Sequence, residues 1–157
     1  MRRLILMTVS HAVTLAAGFA LGINLLPILA APDSPDAVML ENQARGGALF
    51  TAEFVPDLRG EDLLHWAKGT VSVTPGRIVH EGELAPGPDY KLYLVDRFVE
   101  HEDQFLPIKA DARPIGDVKT FGGFIVCVPD GVDVADYTTV LIWCEAFSKF
   151  IGAAEYR

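Results

Sequence analysis

Between Arg3 and Asp33 the chain carries no ionised acid or base, and from Leu4 to Ala31 it is dominated by apolar side chains. Such a run exceeds the roughly 20 residues that cross a bilayer as a helix. The apolar region of a cleaved secretory signal is shorter, about 7 to 15 residues, and ends at a small-x-small site. Here Ala30-Ala31 is followed by Pro32, just after the expected cut, and a cut after Ala30 leaves the large Ile28 where a small residue belongs. The segment therefore reads as an uncleaved anchor, with a signal peptide as the alternative. Arg2 and Arg3 precede it, and positive residues stay on the cytoplasmic side. The expected arrangement is a single pass through a bacterial inner membrane by residues 4–31, with the carboxyl-terminal domain in the periplasm. Thr8, Ser10, His11, Thr14 and Asn24 are polar for such a span, and Pro27 breaks its end. His11 reads as a tolerated polar residue rather than a helix-packing contact.

After the run, Pro32 to Pro35 is a short stiff linker, and Asp36 to Arg45 reads as a helical turn or two ended by Gly46-Gly47. Ala48 to Val55 alternates loosely, as a first strand or a continuation of the stalk. From Trp66 onward the character changes to short strands with turn punctuation about every 8 to 15 residues, the pattern of a sandwich or barrel. Trp66 to Thr74 and Arg77 to Leu84 flank Thr74-Pro75-Gly76, in which Pro presets φ and Gly tolerates a positive one, so a hairpin is expected. Asp89 to Asp96 is apolar on both faces and should be a central strand. His101 to Arg113 is a charged excursion. Pro114 to Thr120, Phe124 to Val128, Thr138 to Trp143 and Phe147 to Ala154 supply the remaining strands. The expected organisation is a membrane anchor or signal peptide over 1–31, a linker and short helix over 32–64, and an all-β domain over 65–157. That domain is read as an antiparallel β-sandwich or barrel, preceded by one transmembrane helix.

Charge and motifs exclude several functions. The net charge is −8, whereas binding nucleic acid requires clustered Lys and Arg to neutralise phosphates. Asp130-Gly131-Val132-Asp133-Val134-Ala135-Asp136 lacks the alternating Asp/Asn ligands and terminal bidentate Glu of a calcium loop, and reads as a solvated connection. His65, His80 and His101 have no companion at ligand spacing, so each is expected on the surface or lining a pocket. Glu100, His101, Glu102 and Asp103 read equally as a weak cation site or as a charged loop tip. No nucleophile elbow, phosphate-cradling loop, paired-cysteine motif or haem-attachment motif occurs. No metal site or cofactor is implied by motif, no catalytic constellation is visible, and a stand-alone enzyme is not expected. Trp66, Tyr90, Tyr93, Phe98 and Phe105 are numerous enough to line a ligand site, but at these spacings they read as core.

A set of landmarks carries a family resemblance. Gly69-Thr70-Val71 is followed by Gly87-Pro88-Asp89-Tyr90-Lys91-Leu92-Tyr93-Leu94, then Gly116-Asp117-Val118-Lys119 and Val128-Pro129-Asp130-Gly131-Val132-Asp133 with Tyr137. The series closes with Val140-Leu141-Ile142-Trp143-Cys144, Phe147 and Ala153-Ala154. In that order, over about residues 65–157, the chain resembles the DM-thirteen domain, also called the electron-transfer DM domain. The resemblance implies a β-sandwich-like module, found alone behind a membrane anchor in bacteria and beside DOMON domains in animals. It also implies a redox role, because a single Cys follows the Trp near the carboxyl end. On this chain that residue is Cys144, preceded by Trp143, and the implied partner is an envelope redox protein. The chain departs from the pattern in having a second cysteine, Cys127.

The residues themselves leave Cys144 with two readings. Neighbouring strand residues point to opposite faces, so on a one-sided sheet Trp143 and Cys144 cannot both face the core. A Cys144 in a groove could serve as a redox or mixed-disulfide centre, whereas in the core it is an inert small hydrophobe. A disulfide between Cys127 and Cys144 is permitted in the periplasm. If residues 124–128 and 138–144 pair as a hairpin, Cys127 faces Val140 and Cys144 lies roughly 13 Å further along. A bridge needs Cα atoms within about 7 Å, and so requires different sheets or a shifted register. Two functions follow: a redox or electron-transfer accessory centred on Cys144, or a non-catalytic binding or structural module of the cell envelope with Cys144 buried.

Overall fold

The computed structural model describes residues 1–157, except for the side chain of Asn24, one of the polar residues of the apolar run, which lies outside the described set. The chain divides into two compact units, Met1–Ala30 and Ala31–Arg157. The first is a single helix, α1 (Arg2–Ala30), with Pro27 near its end. Its mean hydropathy reaches 2.0, and it is long and apolar enough to cross a membrane. Four of its polar side chains bond back to the helix. Thr8 Oγ1 donates to Leu4 O (3.0 Å), Ser10 Oγ to Met7 O (2.9 Å), Thr14 Oγ1 to Ser10 O (2.9 Å), and His11 Nδ1–H to Met7 O (2.7 Å). Bonds back to the preceding turn let such residues sit in an apolar helix with little exposed polarity.

The second unit opens with α2 (Ala37–Arg45), capped by Asp36, whose carboxylate accepts from the Met39 amide at 2.7 Å. Leu40 and Ala44, four residues apart, form its buried face against Val79. Eight strands follow: β1 (Phe50–Phe54), β2 (Ala67–Val73), β3 (Arg77–Leu84), β4 (Tyr90–Val95), β5 (Arg113–Val118), β6 (Phe124–Cys127), β7 (Thr139–Cys144) and β8 (Lys149–Glu155). They form two antiparallel four-stranded sheets, in the orders β1-β2-β3-β6 and β5-β4-β7-β8. The structure is a sandwich rather than a closed barrel, with helices added to the β framework. The expected β2–β3 hairpin is present. Thr74 closes it by accepting from the Arg77 amide and donating to Arg77 O, both at 2.9 Å. The Asp89–Asp96 stretch yields β4, which is central, between β5 and β7.

Three expectations are sharpened or changed. First, Ala48 to Val55, read as a first strand or a continuation of the stalk, holds the edge strand β1, and the short helix expected before it is α2. β1 pairs with β2 from Phe50↔Val73 to Phe54↔Gly69, and its alternate residues Phe50, Ala52 and Phe54 turn toward the core. Second, β6 and β7 do not form a hairpin. β6 pairs with β3, and β7 with β4 and β8. The connection between them buries Val134 in the core and makes a 3-10 turn at Val134–Asp136. That path carries the chain from one sheet to the other.

Third, the second sheet is covered on both faces. Its inner face supplies Tyr90, Leu92, Leu94, Val140, Ile142, Cys144 and Ile151 to the core shared with the first sheet. Its outer face carries Tyr93, Val95, Leu141, Trp143, Phe150 and Ala153, which pack under Val99 and Phe105. The cover is the charged excursion, folded into the short helix α3 (Glu102–Phe105) and a 3-10 turn at Leu106–Ile108. All six residues of β7 are buried as a result.

Candidate functional site

Trp143 and Cys144 sit back to back on β7, and both are buried, at 0% and 1% exposure. The expected choice between them does not arise, because each face of the sheet has its own core. Cys144 ends β7 and lies opposite Tyr90 on β4 and Lys149 on β8. Its Sγ donates to Pro88 O at 3.1 Å. The Pro86–Asp89 loop that accepts this bond is half-buried to exposed. Burial pushes the Cys144 thiol up. Backbone amides of Phe147 and Ala146 in the following turn oppose the rise, and the carboxylates of Asp89 and Glu145 reinforce it. The resting group is a neutral thiol. Cys127 ends β6 opposite Arg77 in the other sheet and is exposed. Both cysteines are free.

The outer face of the same sheet carries a second constellation. Tyr93 and Trp143 are diagonal neighbours across the β4–β7 ladder, because Tyr93 pairs with Leu141 and Lys91 with Trp143. Phe105, brought over the sheet by α3, touches both rings, with centroids 5.3 Å from Tyr93 and 4.9 Å from Trp143. The Tyr93 hydroxyl donates to Glu145 Oε1 at 2.5 Å, and Lys109 Nζ donates to Glu145 Oε2 at 2.5 Å. The same ammonium stands 5.5 Å from the Trp143 ring centroid, a cation–π contact. Burial raises the Glu145 carboxyl, but the bonds from Lys109 and Tyr93 outweigh it and leave its pKa below the usual value. Burial, then the neighbouring carboxylate, pushes the Tyr93 phenol well up. A neutral phenol thus faces an ionised acceptor. Trp143 Nε1 is buried with no hydrogen-bond partner.

Both constellations lie inside residues 58–156, which match the family model described as electron transfer DM13. The chain belongs to the DM13 family. No curated protein and no solved structure matches it. The DM13 match begins at Leu58, ahead of the expected start, and takes in seven of the eight strands and the cover over the outer face. β1 and α2 precede it, yet β1 is hydrogen-bonded into the first sheet. Electron transfer is the role named in that family's description.

One further DM13-domain residue stands apart. His80, expected on the surface or lining a pocket, has 0% exposure. Its ring sits between Phe54 and Phe124, with centroids 5.3 and 5.0 Å away. Its Nε2–H donates to Lys68 O at 3.0 Å, while Nδ1 is buried without a partner. The Gly69↔Gly82 pair makes room for this arrangement: a Cβ on Gly82 would fall 2.1 Å from Lys68 O and 2.7 Å from His80 Nε2. His65 pairs with Asp62, and His101 caps α3 beside Glu102 and Asp103. Of the aromatics expected in the core, Tyr90, Tyr93 and Phe105 are buried, Trp66 is half-buried and Phe98 is exposed. Glu145 and Lys109 were not distinguishable in the sequence, since they lie 52 and 16 residues from Tyr93 and no motif joins them.

Proposed function

We propose that this DM13 chain is a redox accessory of the bacterial cell envelope, held to the inner membrane by α1, with residues 32 onward in the periplasm and Cys144 at the reactive position. The helix length and apolar composition, with Arg2 and Arg3 ahead of it, support the anchor and its orientation. The observation that carries the redox assignment within the family role is the seat of Cys144. Its sulfur lies at the end of the shared core, hydrogen-bonded to Pro88 O of the partly exposed Pro86–Asp89 loop. Displacing that loop exposes the thiol beside the Ala146 and Phe147 amides, which favour the thiolate. An envelope redox protein is the partner such a gated thiol suits.

Burial and the upward pKa equally favour a second reading, in which Cys144 packs as a small hydrophobe in a non-catalytic envelope module. Alkylation of the native full-length chain separates the two. Cys127 is expected to label on mixing. Cys144 is expected to label more slowly, at a rate that rises with pH and stays well above the rate of global unfolding, as local opening of the Pro86–Asp89 loop requires. Labelling of Cys144 only at the unfolding rate would remove the gated thiol and leave the packing role. A Cys144→Ser variant that folds normally but loses an envelope redox phenotype would instead dispose of the second reading.

A further inference from the structure

The outer-face constellation has a chemistry of its own. A phenol gives up an electron readily only if its proton leaves in the same event, since the phenol radical cation is a strong acid. Such a site needs a fixed base already hydrogen-bonded to the hydroxyl, shielding from bulk water, and a short path to a reactant. Tyr93 has all three. Its hydroxyl is bonded to Glu145 Oε1, which Lys109 holds ionised and in place. The residue is only 8% exposed, while Glu145 and Lys109 are partly exposed beside it, so the ring is shielded yet close to the surface. The other tyrosine hydroxyls with hydrogen bonds among the described residues reach only backbone carbonyls, which cannot take a proton: Tyr90 to Ala85 O and Tyr156 to Val134 O.

The neighbouring tryptophan is arranged in the opposite sense. Trp143 Nε1 has no acceptor, so an oxidised Trp143 could not release its proton. The Lys109 ammonium over its ring further disfavours a positive charge there. Of these two oxidisable rings, Tyr93 is therefore the one at which an electron vacancy can settle.

We infer that Tyr93 is a redox-active tyrosine, with Glu145 as its proton acceptor, Lys109 as the residue positioning that carboxylate, and Trp143 and Phe105 as the rings that enclose it. The inference takes the redox role from the proposed function but does not depend on Cys144. Its co-reactant is a high-potential one-electron oxidant, the class to which oxygen-centred radicals belong. In the step, one electron passes from the phenol to the oxidant, the Tyr93 O–H bond breaks, and an O–H bond forms at Glu145 Oε1. The products are a neutral tyrosyl, a protonated Glu145 and the oxidant reduced by one electron.

The test generates tris(bipyridine)ruthenium(III) photochemically beside the full-length chain in detergent, and follows radicals by transient absorption and electron paramagnetic resonance. A neutral tyrosyl is expected in the wild type and equally in Cys144→Ser. Tyr93→Phe, which keeps the ring and its packing, is expected to remove most of that signal although three other tyrosines remain. Glu145→Gln is expected to slow tyrosyl formation by about a hundredfold, the scale of a lost positioned base. The wild-type rate should also fall in deuterated water, a readout that needs no variant. An unchanged tyrosyl yield in Tyr93→Phe, wild-type kinetics in Glu145→Gln, or no solvent isotope effect would each overturn the inference. Loss of the tyrosyl in Cys144→Ser would also overturn it, by making the radical dependent on the thiol. A wild-type tyrosyl signal in a chain whose Cys144 labels only on unfolding would leave Tyr93 standing and retire the cysteine.

Discussion

Replacing Trp143 with Ala is expected to lower the unfolding free energy by about 3–5 kcal/mol, the cost of emptying a large aromatic site in a core that cannot fully collapse. Trp143 is fully buried and is touched by Phe105 and by Lys109 from the covering excursion. Removing the ring withdraws the surface on which α3 and the 3-10 turn rest, so the cover should loosen as well as the sheet. Trp143→Phe provides the comparison. It loses part of the ring but also removes the partnerless Nε1–H, whose burial costs about 1–3 kcal/mol. These terms oppose each other, and Trp143→Phe should cost less than half as much as Trp143→Ala. Urea unfolding of the full-length chains in a mild detergent measures both. A loss below about 1 kcal/mol for Trp143→Ala would mean that the outer face is not the second core described here.

The second large effect is a loss of stability in mild acid traceable to His80. Burial pushes its pKa down from 6.5 to about 4, and the bond to Lys68 O and the charge of Glu53 only partly oppose this. Above pH 6.5 the ring is neutral in both folded and unfolded chains, and its contribution is fully present. As the pH falls from 6.5 toward 4, the unfolded chain takes up a proton that the folded chain refuses, so unfolding becomes easier. Below about 4 both states bind the proton and the loss levels off. Integrated over that window the penalty is about 3 kcal/mol. His80→Gln supplies a neutral amide that can donate to Lys68 O. Subtracting its stability curve from that of the wild type isolates the histidine from the carboxylates, which titrate in both proteins. A difference that does not change between pH 6.5 and 4 would show that water reaches the ring.

Much of the domain was written locally. The Thr74-Pro75-Gly76 turn and the two-faced apolar β4 depend on neighbouring residues, and both were legible because turn chemistry and strand alternation act over a few positions. Pairing between distant strands was not. Phe124–Cys127 and Thr139–Cys144 look like successive arms of a hairpin, and only their pairing with distant strands, with Val134 buried along the crossing, places them in different sheets. Phe105 read as core, but the charged stretch 101–113 did not show that it would roof the outer face of the second sheet, because that depends on where the excursion folds back. His80 looked no different from His65 and His101, since whether a histidine is wet or dry depends on what the fold brings against it.

By itself the sequence determined an apolar amino-terminal helix, an antiparallel β domain with its turns, and membership in the DM13 family through landmarks that include Trp143 and Cys144. These rest on short-range chemistry and on order along the chain. The tertiary structure alone decided that both faces of the second sheet are cores, that Cys144 rests as a thiol bonded to the Pro86–Asp89 loop, and that Tyr93, Glu145 and Lys109 meet over Trp143. Burial, hydrogen-bond geometry and the electrostatics that follow arise only when residues far apart in the chain exclude water from the same place.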